Sequence, residues 1–245
     1  MDIEPNRYSA TWFKYFLDPV PSEQTEREVE FIARQLPRPQ YHTLLDIACG
    51  PGRHAWPLSR RGYRVTGVDA NADAIAQGKR WTGREVEYVL LDMRKLDELP
   101  AVYDAAIIMW QSFGYFDDET NLAVLRQIAQ KLNPHGRLIL DLYHRAFFEQ
   151  HEGMRTLQVR GLAVTENRFM RGDRLQVTLD YGADRPPDAF EWRLYTPEEL
   201  GVLAQGQGFR PLLLCSDFDE RQPPAADKPR WQVVLGVGES GSPGV

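Results

Sequence analysis

The segment Leu45-Asp46-Ile47-Ala48-Cys49-Gly50-Pro51-Gly52-Arg53 sets an aspartate, a thiol and two glycines at the end of a short apolar run. Glycines between a strand and a helix allow a tight turn and let the backbone approach a ligand closely. Gly50 to Ala55 also satisfies the G-x-G-x-x-A dinucleotide pattern, although a pattern this short can equally mark a plain turn. Asp69 ends a second apolar run, 23 residues after Asp46, where a carboxylate can accept both ribose hydroxyls of an adenosine. Asp92 ends a third, where it can accept from an adenine amino group. Trp110-Gln111-Ser112 ends a fourth. Each aspartate alone serves equally well as a helix cap. Together they describe a nucleotide-type site at the carboxyl ends of parallel strands. No Lys-Ser/Thr pair follows the glycines, so the loop is not one that cradles a triphosphate.

The elements that must position these groups alternate. Thr43 to Ala48, Tyr63 to Val68, Val86 to Leu91, Asp104 to Met109 and Arg137 to Leu142 read as strands. Helices are expected from Gly52 to about Arg61, over Asn71 to Arg80, and from Asp117 to Asn133. Alternation of this kind implies a mainly parallel sheet. A helix from Ser22 to Leu36 precedes it, behind an aromatic stretch over residues 8 to 17. Arg174 to Tyr181 and Phe190 to Leu194 alternate cleanly with no helix between them, and Thr156 to Met170 is a weaker third strand. These should pair antiparallel as an insert. A capping box at Thr196-Pro197-Glu198-Glu199 restarts the α/β pattern. Phe209 to Cys215 and Trp231 to Val237 then form a closing antiparallel hairpin.

Composition bounds the partners. Twenty-nine basic and 35 acidic residues give a net charge of −6, which disfavours a nucleic-acid partner without a local basic patch. No apolar run approaches the roughly 20 residues that cross a bilayer. The N-terminus lacks signal-peptide regions, and the two cysteines make no disulfide framework, so a reduced, cytoplasmic protein is expected. The five histidines are scattered without ligand spacing, and no metal is expected. Cys49 reads as a buried turn residue, since no histidine partner is implied.

Asp46-x-Ala48-x-Gly50-x-Gly52, Gly67-Val68-Asp69 and Leu91-Asp92-Met93 resemble the class I S-adenosylmethionine-dependent methyltransferases. Gly52-Arg53-His54, Arg60-Arg61-Gly62-Tyr63, Ser112-Phe113-Gly114-Tyr115-Phe116 and Arg193-Leu194-Tyr195-Thr196 resemble the bacterial small-molecule type. Ala48 departs from the family motif, which often has glycine there. The resemblance implies an α/β, Rossmann-like fold: a seven-stranded, mostly parallel sheet with a closing antiparallel hairpin, plus a small inserted antiparallel β-sheet lid. It implies one methyltransferase domain over 1–245, divided into an N-terminal helical cap (1–42), a cofactor-binding core (43–142 and 196–237), a β-rich insert (143–195) and a flexible tail (238–245).

It also implies roles. The loop Asp46, Ala48, Cys49, Gly50, Gly52 would cradle the methionine part of S-adenosylmethionine. Asp69 would hold the ribose, with Ala70 flanking the adenine. Asp92 and Met93 would contact the adenine edge and face, and the Trp110 backbone would take the amino group. Methyl transfer from a sulfonium needs positioning above all, and a base only if the acceptor keeps its proton. Base candidates are His144, Tyr115 and Glu191. Tyr15, Tyr115, Tyr143, Arg193 and Tyr195 are candidates for the acceptor pocket, with Tyr8, Trp12 and Tyr15 as a lid or as core packing. The expected reaction is in-line methyl transfer to a small-molecule N or O acceptor by a monomer or homodimer, without nucleic acid or membrane. A nicotinamide-dependent oxidoreductase, an RNA or protein methyltransferase, and a non-catalytic cofactor-binding module remain as alternatives.

Overall fold

The computed structural model describes residues 6–18 and 20–238. A single helical turn, α1 (Ala10–Trp12), runs into a π-helical turn, Phe13–Leu17, and α2 (Ser22–Gln35) follows. The alternating region comprises β1 (Thr43–Ile47), α3 (Ala55–Arg60), β2 (Arg64–Asp69), α4 (Ala72–Thr82), β3 (Glu87–Leu90), a 3-10 helix (Met93–Glu98), β4 (Tyr103–Ile108), α5 (Asp118–Gln130) and β5 (Leu132–Tyr143). Next come α6 (Arg145–Gln150), then β6 (Gly153–Val159), β7 (Leu162–Arg171), β8 (Arg174–Asp180) and β9 (Asp188–Arg193). α7 (Pro197–Gln205), β10 (Phe209–Ser216) and β11 (Arg230–Val237) close the chain.

The first five strands and the last two form one sheet, in the order β10-β11-β5-β4-β1-β2-β3. β1 to β5 pair in parallel. β11 runs antiparallel to both β5 and β10, which is the expected closing hairpin. The fold is α/β and Rossmann-like. Period-two alternation divides the core between the two faces of the sheet. Leu45 and Ile47 of β1 pack on one side with Val124, Leu125 and Ile128 of α5. Leu44 packs on the other, under Val29, Phe31 and Ile32 of α2. A parallel sheet needs cover on both faces, and α2 supplies part of it.

Helix starts are well specified. Asn71 Oδ1 accepts from the Asp73 and Ala74 amides at the head of α4. Asp117 does so for Thr120 at α5, and Thr196 with Glu199 closes a capping box at α7.

Two local readings require correction. Thr156 to Met170 is not one strand but a hairpin, so the inserted sheet has four antiparallel strands, β6-β7-β8-β9. Its two-residue turn is Arg160-Gly161, with positive φ at both (49° and 77°), the form that matches strand twist. The fifth strand starts at Leu132 rather than Arg137: Asn133 to Gly136 is absorbed as an irregularity in the pairing with β4, with His135 at φ 66°. The expected tail lies outside the described residues from 239 onward.

Asp104 joins the entrances of β1 and β4. Its carboxylate accepts from the His42 amide (2.9 Å), the Thr43 amide (2.8 Å), the Thr43 hydroxyl (2.9 Å) and Asn133 Nδ2 (2.8 Å). Asp104→Ala strips four donors of their acceptor and should lower stability by about 1–3 kcal/mol. Urea unfolding measures it; an unchanged midpoint would show that this junction does not set the spacing of the two strands.

Candidate active site

β1 lies between β2 and β4, so the chain builds one half of the sheet on each side of it. In open α/β sheets, ligands bind in the crevice at such a switch point, beyond the carboxyl ends of the strands. The backbone there is strained. Ala48, Trp110 and Gln111 have φ of 56°, 58° and 58°, a region that side chains other than glycine rarely enter. Such conformations persist only where the surroundings impose them, and they cluster at functional sites.

A cavity of about 1330 Å³ opens over these strand ends. Asp46, Ala48, Cys49, Gly50, Asp69, Ala70, Asp92, Met93 and Trp110 all line it. Gly52 does not; its need is steric. A Cβ at Gly52 would stand 1.9 Å from Tyr88 Oη, so the loop can close over Tyr88 only with glycine at that position.

Asp69 ties the loop to α4: Oδ2 accepts from the Gly50 amide and Oδ1 from the Asn71 amide, each at 2.8 Å. Burial raises the pKa of its carboxyl, against those two donors. Asp46 is 2% exposed. Burial, opposed by Arg53 and reinforced by Asp69, pushes its carboxyl up to about 8. Its Oδ2 has no partner, and neither has Arg53 Nη2, equally buried on the cavity wall. Asp92 caps the 3-10 helix through the Arg94 amide and pairs with the Arg94 side chain, which holds its carboxyl below the usual range. Cys49 is buried, its thiol pushed up chiefly by burial, which disfavours a nucleophilic thiolate.

Sequence reasoning missed the polar groups behind the loop. Glu28 of α2 is fully buried and accepts from His54 Nε2 (2.7 Å), Arg53 Nη1 (2.6 Å), Gln24 Nε2 (3.0 Å) and Trp110 Nε1 (3.1 Å). Burial works against its ionisation, but the His54 hydrogen bond and the Arg53 charge hold it well below the ordinary carboxylate range. His54 is driven toward neutral by burial and by Arg53. Asp141 of β5, also fully buried, accepts from the Trp110 amide (3.0 Å), Gln232 Nε2 (2.9 Å) and the Arg230 guanidinium. The Trp110 amide is therefore taken. Arg53 and Arg230 both stack on the Trp110 ring, 4.4 and 5.1 Å from its centroid. The available signal was Glu28 itself, four residues before the buried Ile32 on the helix stripe.

Aromatic side chains make the opposite wall: Tyr8, Trp12, Tyr115, Tyr143, Phe190 and Trp192. The Tyr8 and Tyr115 hydroxyls share a hydrogen bond of 2.6 Å. The N-terminal segment is strapped to β9, with Asn6 bonded both ways to the Glu191 backbone (2.9 and 3.0 Å) and Ser9 Oγ donating to Asp188 at 2.7 Å.

Besides Gly52, five expected site residues lie off the cavity. β9 alternates, so Phe190 and Trp192 face the cavity while Glu191 and Arg193 face away. Glu191 is held by Arg174 and by Gln176. Arg193 pairs with Asp118, Asp173 and Glu199, each at 3.2 Å. Tyr195 turns toward α5, where its hydroxyl meets Asn121 and Asp118. His144 heads α6, and Tyr15 lies beneath Lys14.

Residues 44–136 match the family model of a methyltransferase domain. The chain is 24% identical over 200 residues to YqeM of Bacillus subtilis (strain 168), a match covering 76% of this chain and 81% of that protein. The CcbJ methyltransferase of Streptomyces caelestis shares the fold, with a TM-score of 0.79 at 19% identity over 91% of this chain and 94% of that one. So does the S-adenosylmethionine-bound amino pentose methyltransferase CalS10 of Micromonospora echinaspora, at 0.72 and 17% over 96% and 99%. The domain match, the relatives and the shared fold together support a class I S-adenosylmethionine-dependent methyltransferase. That sets aside the nicotinamide reading of the glycine pattern. Among the described residues of the methyltransferase, no helix is long and apolar enough to cross a membrane.

Glu28 binds protons less readily in the fold than in the unfolded chain, where it titrates near 4.5, so it contributes stability above that value and loses it as pH falls. His54, held below 6.5, acts with the same sign from a higher pH. Stability should therefore fall from about pH 6.5 downward. Glu28→Gln should cost about 3–5 kcal/mol at pH 7, because it leaves Arg53 buried without its carboxylate. It should also flatten the acid limb in urea unfolding followed against pH; a parallel limb would remove Glu28 from that role.

Proposed function

We propose that this methyltransferase transfers the methyl group of S-adenosylmethionine to the nitrogen of a small-molecule amine, and that the Asp46–Arg53 loop holds the cofactor's amino-acid end. The observation that carries the reading is the pair of buried, unpartnered groups at that loop. Asp46 Oδ2 lacks a donor and Arg53 Nη2 lacks an acceptor, and both residues line the same cavity. Buried polar atoms are normally satisfied, so these two call for a ligand. A zwitterion fits, its ammonium toward Asp46 and the Trp110 carbonyl, its carboxylate toward Arg53. Asp69 takes the ribose hydroxyls while keeping Gly50 and Asn71, since a carboxylate accepts about four hydrogen bonds. Ala70, Met93 and Asp92 flank the adenine.

When bound, S-adenosylmethionine supplies a methyl group already activated by its sulfonium. The protein then has to position the acceptor and keep water out. Tyr8, Trp12, Phe190 and Trp192 do both by walling the cavity. The cavity is shared between cofactor and acceptor, which leaves room for a small molecule only. With Asp46 given to the cofactor's ammonium and Asp92 paired with Arg94, no lining group among the described residues is left to take a proton from an alcohol. Asp69 is held by two amides, Glu166 by Arg155, and His54 by Glu28. Tyr8 and Tyr115 are kept protonated by burial, Tyr115 up to about 12. An amine that arrives neutral needs no base, and this is what favours nitrogen. The amino pentose methyltransferase that shares the fold is in keeping with it. The chain is read as one methyltransferase domain, with the cap over 1–42, the core over 43–142 and 196–237, and the insert over 143–195.

Calorimetry with S-adenosylhomocysteine should show binding that weakens at least about tenfold, or 1.4 kcal/mol, in Asp69→Ala and in Asp46→Asn. An intact wild-type protein that ignores this ligand would sink the cofactor assignment. Radiolabelled methyl transfer to a panel of amines, alcohols and phenols tests the acceptor atom, and label found only in ethers would overturn the nitrogen assignment.

A further inference from the structure

The inserted sheet turns one face to the cavity, and that face is divided by charge. Val177, Leu179, Phe190 and Trp192 make an apolar strip on β8 and β9. Arg155 on β6, with Glu166 and Arg168 on β7, makes a charged strip beside it. Arg155 and Glu166 stand opposite each other across the strands and form an ion pair. Arg168 lies two residues further along β7, on the same face. Its guanidinium rests over the Phe148 ring at 5.4 Å, and among the described residues no carboxylate forms an ion pair with it. Burial and the neighbouring Arg155 both work against this charge, opposed only by Glu166 and Tyr143. A partly buried guanidinium in such surroundings gains by meeting an anion, and its planar fork suits carboxylate or phosphate oxygens.

We infer that the acceptor carries an anionic group, a carboxylate or a phosphate ester, which docks on Arg168 while the apolar body of the molecule lies along Phe190 and Trp192. The inference rests on the cofactor and acceptor halves of the cavity being as proposed above. It adds that the inserted sheet selects acceptors by charge. An anion held at one end also fixes the orientation of the nucleophile at the other, which is the main contribution a methyl transfer requires.

The test uses the intact protein saturated with S-adenosylhomocysteine, titrated with phenyl phosphate, benzoate or benzyl alcohol and followed by calorimetry and tryptophan fluorescence. Trp12 and Trp192 line the cavity and report its occupation. At least one of the two anions should bind ten times more tightly than the neutral alcohol, and the better of the two identifies phosphate or carboxylate. Arg168→Met should erase that preference while leaving S-adenosylhomocysteine affinity unchanged. Glu166→Gln frees Arg155 from its carboxylate and should tighten the anion at least threefold, an effect in the opposite direction that misfolding cannot imitate. Equal binding of alcohol and anions, or an Arg168→Met protein that keeps the preference, would overturn the inference with the cofactor assignment intact. Failure of S-adenosylhomocysteine itself to bind would remove the cofactor assignment and this inference together.

Discussion

A carboxylate with no exposure to solvent, Glu28, holds the N-terminal helix to the loop on which the site depends. Taking a charge out of water costs several kcal/mol, and the cost is recovered only if every lone pair finds a donor. Here four do, from Gln24 in the same helix, from Arg53 and His54 just after the glycines, and from the indole of Trp110 after β4. The helix is therefore more than cover for one face of the sheet. It supplies the anion that keeps Arg53, a residue of the cavity lining, in place.

Trp110 lies between two such anions. Its indole donates to Glu28 and its amide to Asp141, and two guanidinium groups stack on its ring. This explains how Trp110 and Gln111 are kept at positive φ. A left-handed conformation at two successive non-glycine residues costs on the order of 1–3 kcal/mol each, and only surroundings that fix both the backbone and the side chain can sustain it. Gln111 is fixed similarly: its amide donates to the Asp141 carbonyl, and its side chain bridges Phe113 and Tyr143. The strain sits at the switch point, where β4 ends beside the cavity.

The parts of this molecule legible in the sequence are those governed by local rules. Strand alternation, the glycine turn, the caps at Asn71, Asp117 and Thr196, and the strand-end aspartates depend on neighbours within a few residues, and the structure has them at those places. The turn at Arg160-Gly161 was missed because its first residue is not one of the usual types for positive φ. The networks around Glu28 and Asp141 were missed for a different reason. Apart from Gln24, their partners lie 25 to 91 residues away, and nothing local marks a buried carboxylate except its place on an apolar stripe. The errors at Glu191, Arg193 and Tyr195 came from choosing residues by polarity and ignoring strand parity. In β9 the residues toward the cavity are aromatic, and the polar ones serve to anchor the insert.

The two sheets divide the work along a physical boundary. The large sheet has its own two clusters of buried side chains, one on each face, while the inserted sheet packs its inner residues into a third with α6 and the N-terminal aromatics. On the loop side of the cavity nearly every charged group is already committed to a neighbour, so a change there disturbs the backbone as well as the ligand. On the insert side the lining residues alternate with outward ones and make few polar bonds to the large sheet. Changes of size or charge at Arg168, Phe190 or Trp192 therefore reshape the cavity while leaving Asp69, Gly50 and Trp110 where they are. A fold that separates a strained, densely bonded loop side from a loosely coupled insert can keep one chemistry and vary its substrate.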